Sequence, residues 1–115
     1  MSSVDTQMVP FFDLYRRGEV TAEQIDDFVG RWHDAPDTEH RSLSEYLGMT
    51  EEEYGLWVMD PETLPSLRKA RMTGQPLLEA MRDYVAALRV GARPSDGSAI
   101  LAITNWLNSR LRDIA

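Results

Sequence analysis

Two histidines and the carboxylates between them are the residues of this chain best suited to acid–base or metal chemistry. His33 and His40 flank a polar loop that also contains Asp37 and Glu39, so a two-histidine site completed by one carboxylate can be drawn. The spacing matches neither His-x-x-x-His nor His-Glu-x-x-His, the patterns that place two imidazoles on one helical face. Isolated histidines without such a motif are usually surface or capping residues. We therefore predict no catalytic residue, no metal site, no cofactor and no enzymatic activity.

The stretch 42–64 is the best-specified structural segment of the chain. Ser42 is suited to cap a short helix, and Gly48 is suited to end it in the left-handed conformation that glycine adopts at low steric cost. Thr50 and Glu53 have the spacing of a capping box, in which each side chain satisfies a backbone N–H at the start of a helix. The segment therefore predicts two helices joined at a glycine corner.

A corner of this kind invites comparison with the helix-turn-helix motif of DNA-binding proteins. A recognition helix presents its N-terminal residues to the major groove, beside two phosphate backbones. Here those residues are Glu51, Glu52 and Glu53, which repel phosphate and make none of the common Arg- or Gln-type base contacts. The pattern favours a plain helical corner over DNA recognition by this helix.

Charge is distributed unevenly along the chain, whose formal net charge is −7. Residues 1–60 carry 14 acidic and 4 basic side chains, whereas residues 61–115 carry 5 acidic and 8 basic ones. The acidic half is consistent with a solvated face, with a mimic of nucleic-acid charge, or with a ligand for a basic partner. The candidate partner-binding residues of the acidic half are Asp26, Asp27, Glu51, Glu52 and Glu53. The candidate residues of an alternative nucleic-acid patch are Arg68, Lys69, Arg71, Arg89 and Arg93.

Apolar residues recur at helical spacing through most of the chain, and helix breakers separate these segments. Besides the two helices at the corner, the pattern predicts helices over residues 10–17, 22–34, 61–72, 76–90 and 98–115. We predict an all-α fold, a compact single-domain bundle of five to seven short helices that ends in a helical hairpin. Within residues 1–115 we expect a frayed tail at 1–7, an acidic helical part at 8–72 and the C-terminal hairpin at 76–115.

Two sets of apolar positions have alternative interpretations. The three tryptophans lie on apolar helical faces, which favours a place in the core, and an exposed one would mark a partner surface; they are Trp32, Trp57 and Trp106. The last predicted helix alternates steps of four and three in a heptad-like seam, formed by Ile100, Thr104, Leu107, Leu111 and Ile114 and widened by Ile103 and Trp106. This seam is suited to pack on the preceding helix or on a second copy of the chain.

Bulk composition narrows the class of protein. The chain is 43% hydrophobic and 27% charged and has no cysteine, so disulfides and thiolate metal sites are excluded. No apolar run approaches the roughly 20 residues that span a bilayer, and the N-terminal residues lack the pattern of a signal peptide. We therefore expect a soluble protein of the cytoplasm that does not contact a membrane.

Two segments resemble a family of short bacterial and phage proteins. The first, from Ile25 to His33, reads Ile-Asp-Asp-Phe-Val-x-x-Trp-His. The second, from Ser42 to Val58, reads Ser-Leu-x-Glu-Tyr-Leu-Gly-Met-Thr-x-Glu-Glu-Tyr-x-x-Trp-Val. The resemblance implies a small gene of a prophage or mobile element, in some members in an antitoxin-like setting. It supplies no catalytic residues and does not extend to residues 75–115.

Three functional hypotheses follow from these patterns. The leading one is a non-enzymatic protein-binding modulator, antitoxin-like or a phage-encoded inhibitor of a host protein, whose partner is basic or binds nucleic acid. The second is a DNA-binding regulator that uses the basic residues instead of the acidic helix. The third is a self-assembling structural subunit, a homodimer formed through the last helix.

Overall fold

The computed structural model describes residues 9–91 and 97–114. Within these ranges the chain forms seven α-helices and two short 3-10 turns, and no strand, which confirms the predicted all-α fold. The helices are α1 (Phe11–Arg16), α2 (Ile25–His33), α3 (Leu43–Leu47), α4 (Glu51–Met59), α5 (Leu64–Thr73), α6 (Leu77–Val90) and α7 (Gly97–Ile114). The 3-10 turns are Ala22–Gln24, directly before α2, and Pro61–Thr63, directly before α5. No helix in the described ranges is long and apolar enough to cross a membrane.

The chain divides into two compact units, Met1–Tyr54 and Gly55–Ala115, with the boundary inside α4. Gly74 ends α5 in the left-handed conformation, with φ +75°, and α5 packs against α6. Helix α5 therefore belongs with the C-terminal helices, because its buried face contacts α6.

Aromatic residues of α1 form the core of the first unit. Phe11 and Phe12 are fully buried. The ring of Phe11 stacks on Tyr15 at 5.4 Å between centroids, and it meets the edge of Phe28 on α2 at 5.3 Å. Helix α3 packs against both α1 and α2 and buries Leu47 completely. These buried positions follow the helical spacing of apolar residues in the sequence, which is why the helices form where the pattern predicts them.

The corner after α3 depends on a glycine for two reasons. Gly48 has φ +78°, which confirms the predicted left-handed C-cap. A Cβ atom at this position would also lie only 2.6 Å from the Cβ of Pro10. Any other residue would therefore be strained in its backbone and would clash with the segment that precedes α1.

The second unit contains the rest of α4 and the helices α5, α6 and α7. Helix α6 packs against α5 on one side and α7 on the other, which confirms the predicted C-terminal hairpin of α6 and α7. The completely or almost completely buried apolar side chains of this unit are Leu56, Leu64, Leu67, Met81 and Ile103.

Helix α7 buries only part of the predicted apolar face. Ile103 and Leu107 are buried, whereas Leu111 is 39% exposed. Thr104 lies at the edge of this buried line, and its Oγ1 atom is buried without a hydrogen-bond partner. Ile103 and Leu107 are four residues apart and share the face of α7 that is buried, and α7 packs against α6.

Candidate partner-binding surface

The first turn of α2 presents two of the predicted partner-binding carboxylates. Asp26 and Asp27 are both exposed, and neither carboxylate forms a hydrogen bond or ion pair with another residue in the described ranges. Acidic side chains in the first turn stabilise a helix through its dipole, by about 0.3–1 kcal/mol each at exposed sites. Because this stabilisation needs no contact with another side chain, the carboxylate oxygens of Asp26 and Asp27 remain accessible to a partner.

Three consecutive glutamates begin α4, and the structure gives them different surroundings. Glu51 and Glu52 are exposed, whereas Glu53 is only 5% exposed. The Oε1 atom of Glu53 accepts a hydrogen bond from the Thr50 N–H at 2.8 Å, and the Glu53 N–H donates to Thr50 Oγ1 at 3.1 Å. This is the predicted capping box. Glu53, which the sequence placed on the contact surface, is instead a buried capping residue.

Glu51 is tied to the preceding helix by a serine. The hydroxyl of Ser44, which is buried, donates to Oε1 of Glu51 at 2.6 Å, and the hydroxyls of Ser42 and Ser44 lie 3.0 Å apart. The Ser42 N–H also donates to Oε1 of Glu45, at 2.9 Å, at the start of α3. One carboxylate oxygen of Glu51 is therefore engaged in joining α3 to α4.

An acidic ridge runs along the outer side of α2. We use this name for the carboxylates of Glu23, Asp26, Asp27 and Asp34, all exposed, which surround Gly30 at helical spacing. A Cβ atom at Gly30 would meet nothing within 4 Å, so the middle of the ridge is bare backbone. The sequence pattern identified Asp26 and Asp27 but missed the contribution of Glu23, Gly30 and Asp34. Their spacing of three and four residues was the available signal.

The arginine that follows Gly30 in α2 is exposed and contacts an aromatic ring. The guanidinium carbon of Arg31 lies 4.7 Å from the centroid of the Phe28 ring. A cation over an aromatic face is attracted by the ring quadrupole, which fixes the side chain at that position. The positive charge of Arg31 is therefore held over Phe28, a ring on the buried side of α2.

The loop between α2 and α3 is held by an ion pair. Nη2 and Nε of Arg41 donate to the two carboxylate oxygens of Glu39, at 2.9 and 3.0 Å, and the Arg41 N–H donates to Glu39 Oε2 at 2.9 Å. Hydrogen bonds from the Arg41 side chain and backbone lower the pKa of Glu39 to about 2, since they favour the ionised carboxylate. The Glu39 carboxylate in turn raises the pKa of Arg41.

Aromatic residues hold the other side of this loop. Nε1 of Trp32 donates to the Arg41 carbonyl oxygen at 3.0 Å, and the Arg41 guanidinium lies 4.9 Å from the ring centroid of Tyr46. His33 and His40 are exposed at the two ends. In the described part of the chain, no three or more His, Asp or Glu side chains are grouped so as to hold a metal ion. The contacts of this loop hold its own structure in place.

The basic residues proposed for a nucleic-acid patch are divided between two helices of the second unit. Lys69 and Arg89 are exposed on α5 and α6, while Arg68 and Arg71 are half-buried and have interactions within the chain. Arg93 lies outside the described residues. Fewer of the proposed basic side chains are therefore exposed than the sequence alone suggests.

The three tryptophans are half-buried rather than core residues. Trp32 lies in the first unit, and Trp57 and Trp106 lie in the second. The Arg110 guanidinium covers the ring of Trp106 at 5.3 Å from its centroid. None of the three is exposed enough to mark a partner surface by itself.

Comparison with protein families, with curated proteins and with solved structures found no match for this chain. The resemblance of residues 25–33 and 42–58 to a family of short phage and bacterial proteins therefore stays a prediction.

Proposed function

We propose that this protein is a non-enzymatic modulator that binds another protein through the acidic ridge of α2. The observation that carries this proposal is the combination of exposed carboxylates with the bare backbone at Gly30. In the cytoplasm it would act as an antitoxin-like protein or a phage-encoded inhibitor, and its partner would be a basic protein that handles nucleic acid. Glu51 and Glu52, exposed at the start of α4, would be further acidic contacts for the partner.

One carboxylate of the ridge, that of Asp34, does not stabilise the helix that it follows. Asp34 is the C-cap of α2, where the helix dipole is negative and a carboxylate is unfavourable. Its charge therefore contributes little to the stability of the helix. A set of carboxylates of one sign raises the rate of encounter with a basic partner and weakens with added salt.

Gly30 supports a close approach by the partner. It lies inside a helix, where glycine is less favourable than alanine by about 0.5–1 kcal/mol, and its φ is not in the left-handed region. Because a Cβ would have open space there, the fold itself has no need of glycine at this position. The absence of a side chain lets a basic segment lie close to the helix, between the carboxylates.

A DNA-binding regulator is supported less well. Its basic residues would include the half-buried Arg68 and Arg71, which have interactions within the chain. In a homodimer formed through the heptad-like seam, contacts between the two copies would have to replace the burial of Ile103 and Leu107 within one chain. Neither alternative has an observation as specific as the acidic ridge.

Affinity capture from a lysate of the native host, followed by mass spectrometry, tests the proposal. The wild type is compared with an Asp26→Lys, Asp27→Lys variant and with a Glu62→Lys, Glu79→Lys control, which makes the same charge change in the second unit. A stoichiometric basic protein that is lost only with the first variant supports the proposal. Recovery of nucleic acid with no protein partner contradicts it and favours the DNA-binding regulator.

A further inference from the structure

We draw no further inference here: the strongest candidate, the exposed apolar face of α4 formed by Gly55, Val58 and Met59, carries nothing because nothing in the structure shows what covers it.

Discussion

The hydroxyl of Tyr84 on α6 donates a hydrogen bond to the carboxylate of Asp60, the residue that ends α4 and caps the following 3-10 turn. The other carboxylate oxygen of Asp60 accepts from the Glu62 N–H at 3.1 Å, and the side chain is buried. The hydrogen bond between Tyr84 and Asp60 thus joins two residues of the second unit that are 24 positions apart in the sequence. This one contact fixes the α4–α5 corner against α6.

We expect Tyr84→Phe to lower the free energy of unfolding by about 1.5–3 kcal/mol, the usual value for a hydrogen bond to a charged group. Asp60→Ala should cost more, because it also removes the N-cap. Urea unfolding of both single variants and the double variant checks this. If the loss in the double variant equals the sum of the two single losses, the two residues do not interact.

Substitution of two glycines by alanine should have opposite effects. Gly48→Ala should destabilise the protein by more than about 1–2 kcal/mol, the cost of the left-handed conformation for a residue with a Cβ, since the clash with Pro10 adds to it. Gly30→Ala should stabilise it by about 0.5–1 kcal/mol, because alanine is more favourable than glycine inside a helix and its Cβ would displace no neighbouring atom. Thermal unfolding measures both, and a stabilising Gly48→Ala would contradict the corner as described.

Two threonines with buried hydroxyl groups provide a second matched pair. The hydroxyl of Thr104 is buried without a partner, so Thr104→Val should stabilise the second unit by about 1 kcal/mol, part of the roughly 1–3 kcal/mol that an unsatisfied polar group costs. The hydroxyl of Thr63 donates to the Asp60 carbonyl oxygen at 2.7 Å. Thr63→Val should therefore destabilise by about 0.5–1.5 kcal/mol. Denaturant unfolding of the two variants gives the comparison, and effects of the same sign would contradict it.

The ion pair of the α2–α3 loop should show itself in the titration of Glu39. Its pKa is lowered from 4.5 to about 2 by hydrogen bonds from Arg41, so the folded state holds the carboxylate ionised. The stabilisation is fully present above the ordinary pKa of 4.5 and is lost as the pH falls toward 2. Carboxyl chemical shifts followed by NMR should give this low pKa, and Arg41→Ala should return it toward the ordinary value. An unchanged titration in that variant would contradict the assignment.

Local signals in the sequence predicted the helix ends well. The capping box of Thr50 and Glu53 and the left-handed Gly48 each depend on residues within a few positions of one another. Such signals act within a single turn of the backbone, so they can be recognised directly in the amino-acid sequence.

Contacts between distant residues could not be predicted in this way. The hydrogen bond from Tyr84 to Asp60 and the approach of Pro10 to Gly48 depend on how helices pack, and helical spacing alone does not specify partners. The burial of Glu53 has the same origin. An acidic residue in a first turn looks exposed in sequence, yet the capping box turns its carboxylate back onto the helix start. The sequence singled out Asp26 and Asp27 as candidate partner-binding residues; the structure shows that both are exposed, and their role in binding stays a prediction.

The most direct test of the acidic ridge is the affinity of the captured partner for three forms of the protein, measured by titration calorimetry at low and physiological salt. The forms are the wild type, Asp26→Lys with Asp27→Lys, and the control Glu62→Lys with Glu79→Lys. We predict that the first variant weakens binding by about tenfold or more, equivalent to about 1.4 kcal/mol, and that the wild-type affinity falls with added salt. Equal affinities of the ridge variant and the control would contradict a partner-binding role for α2.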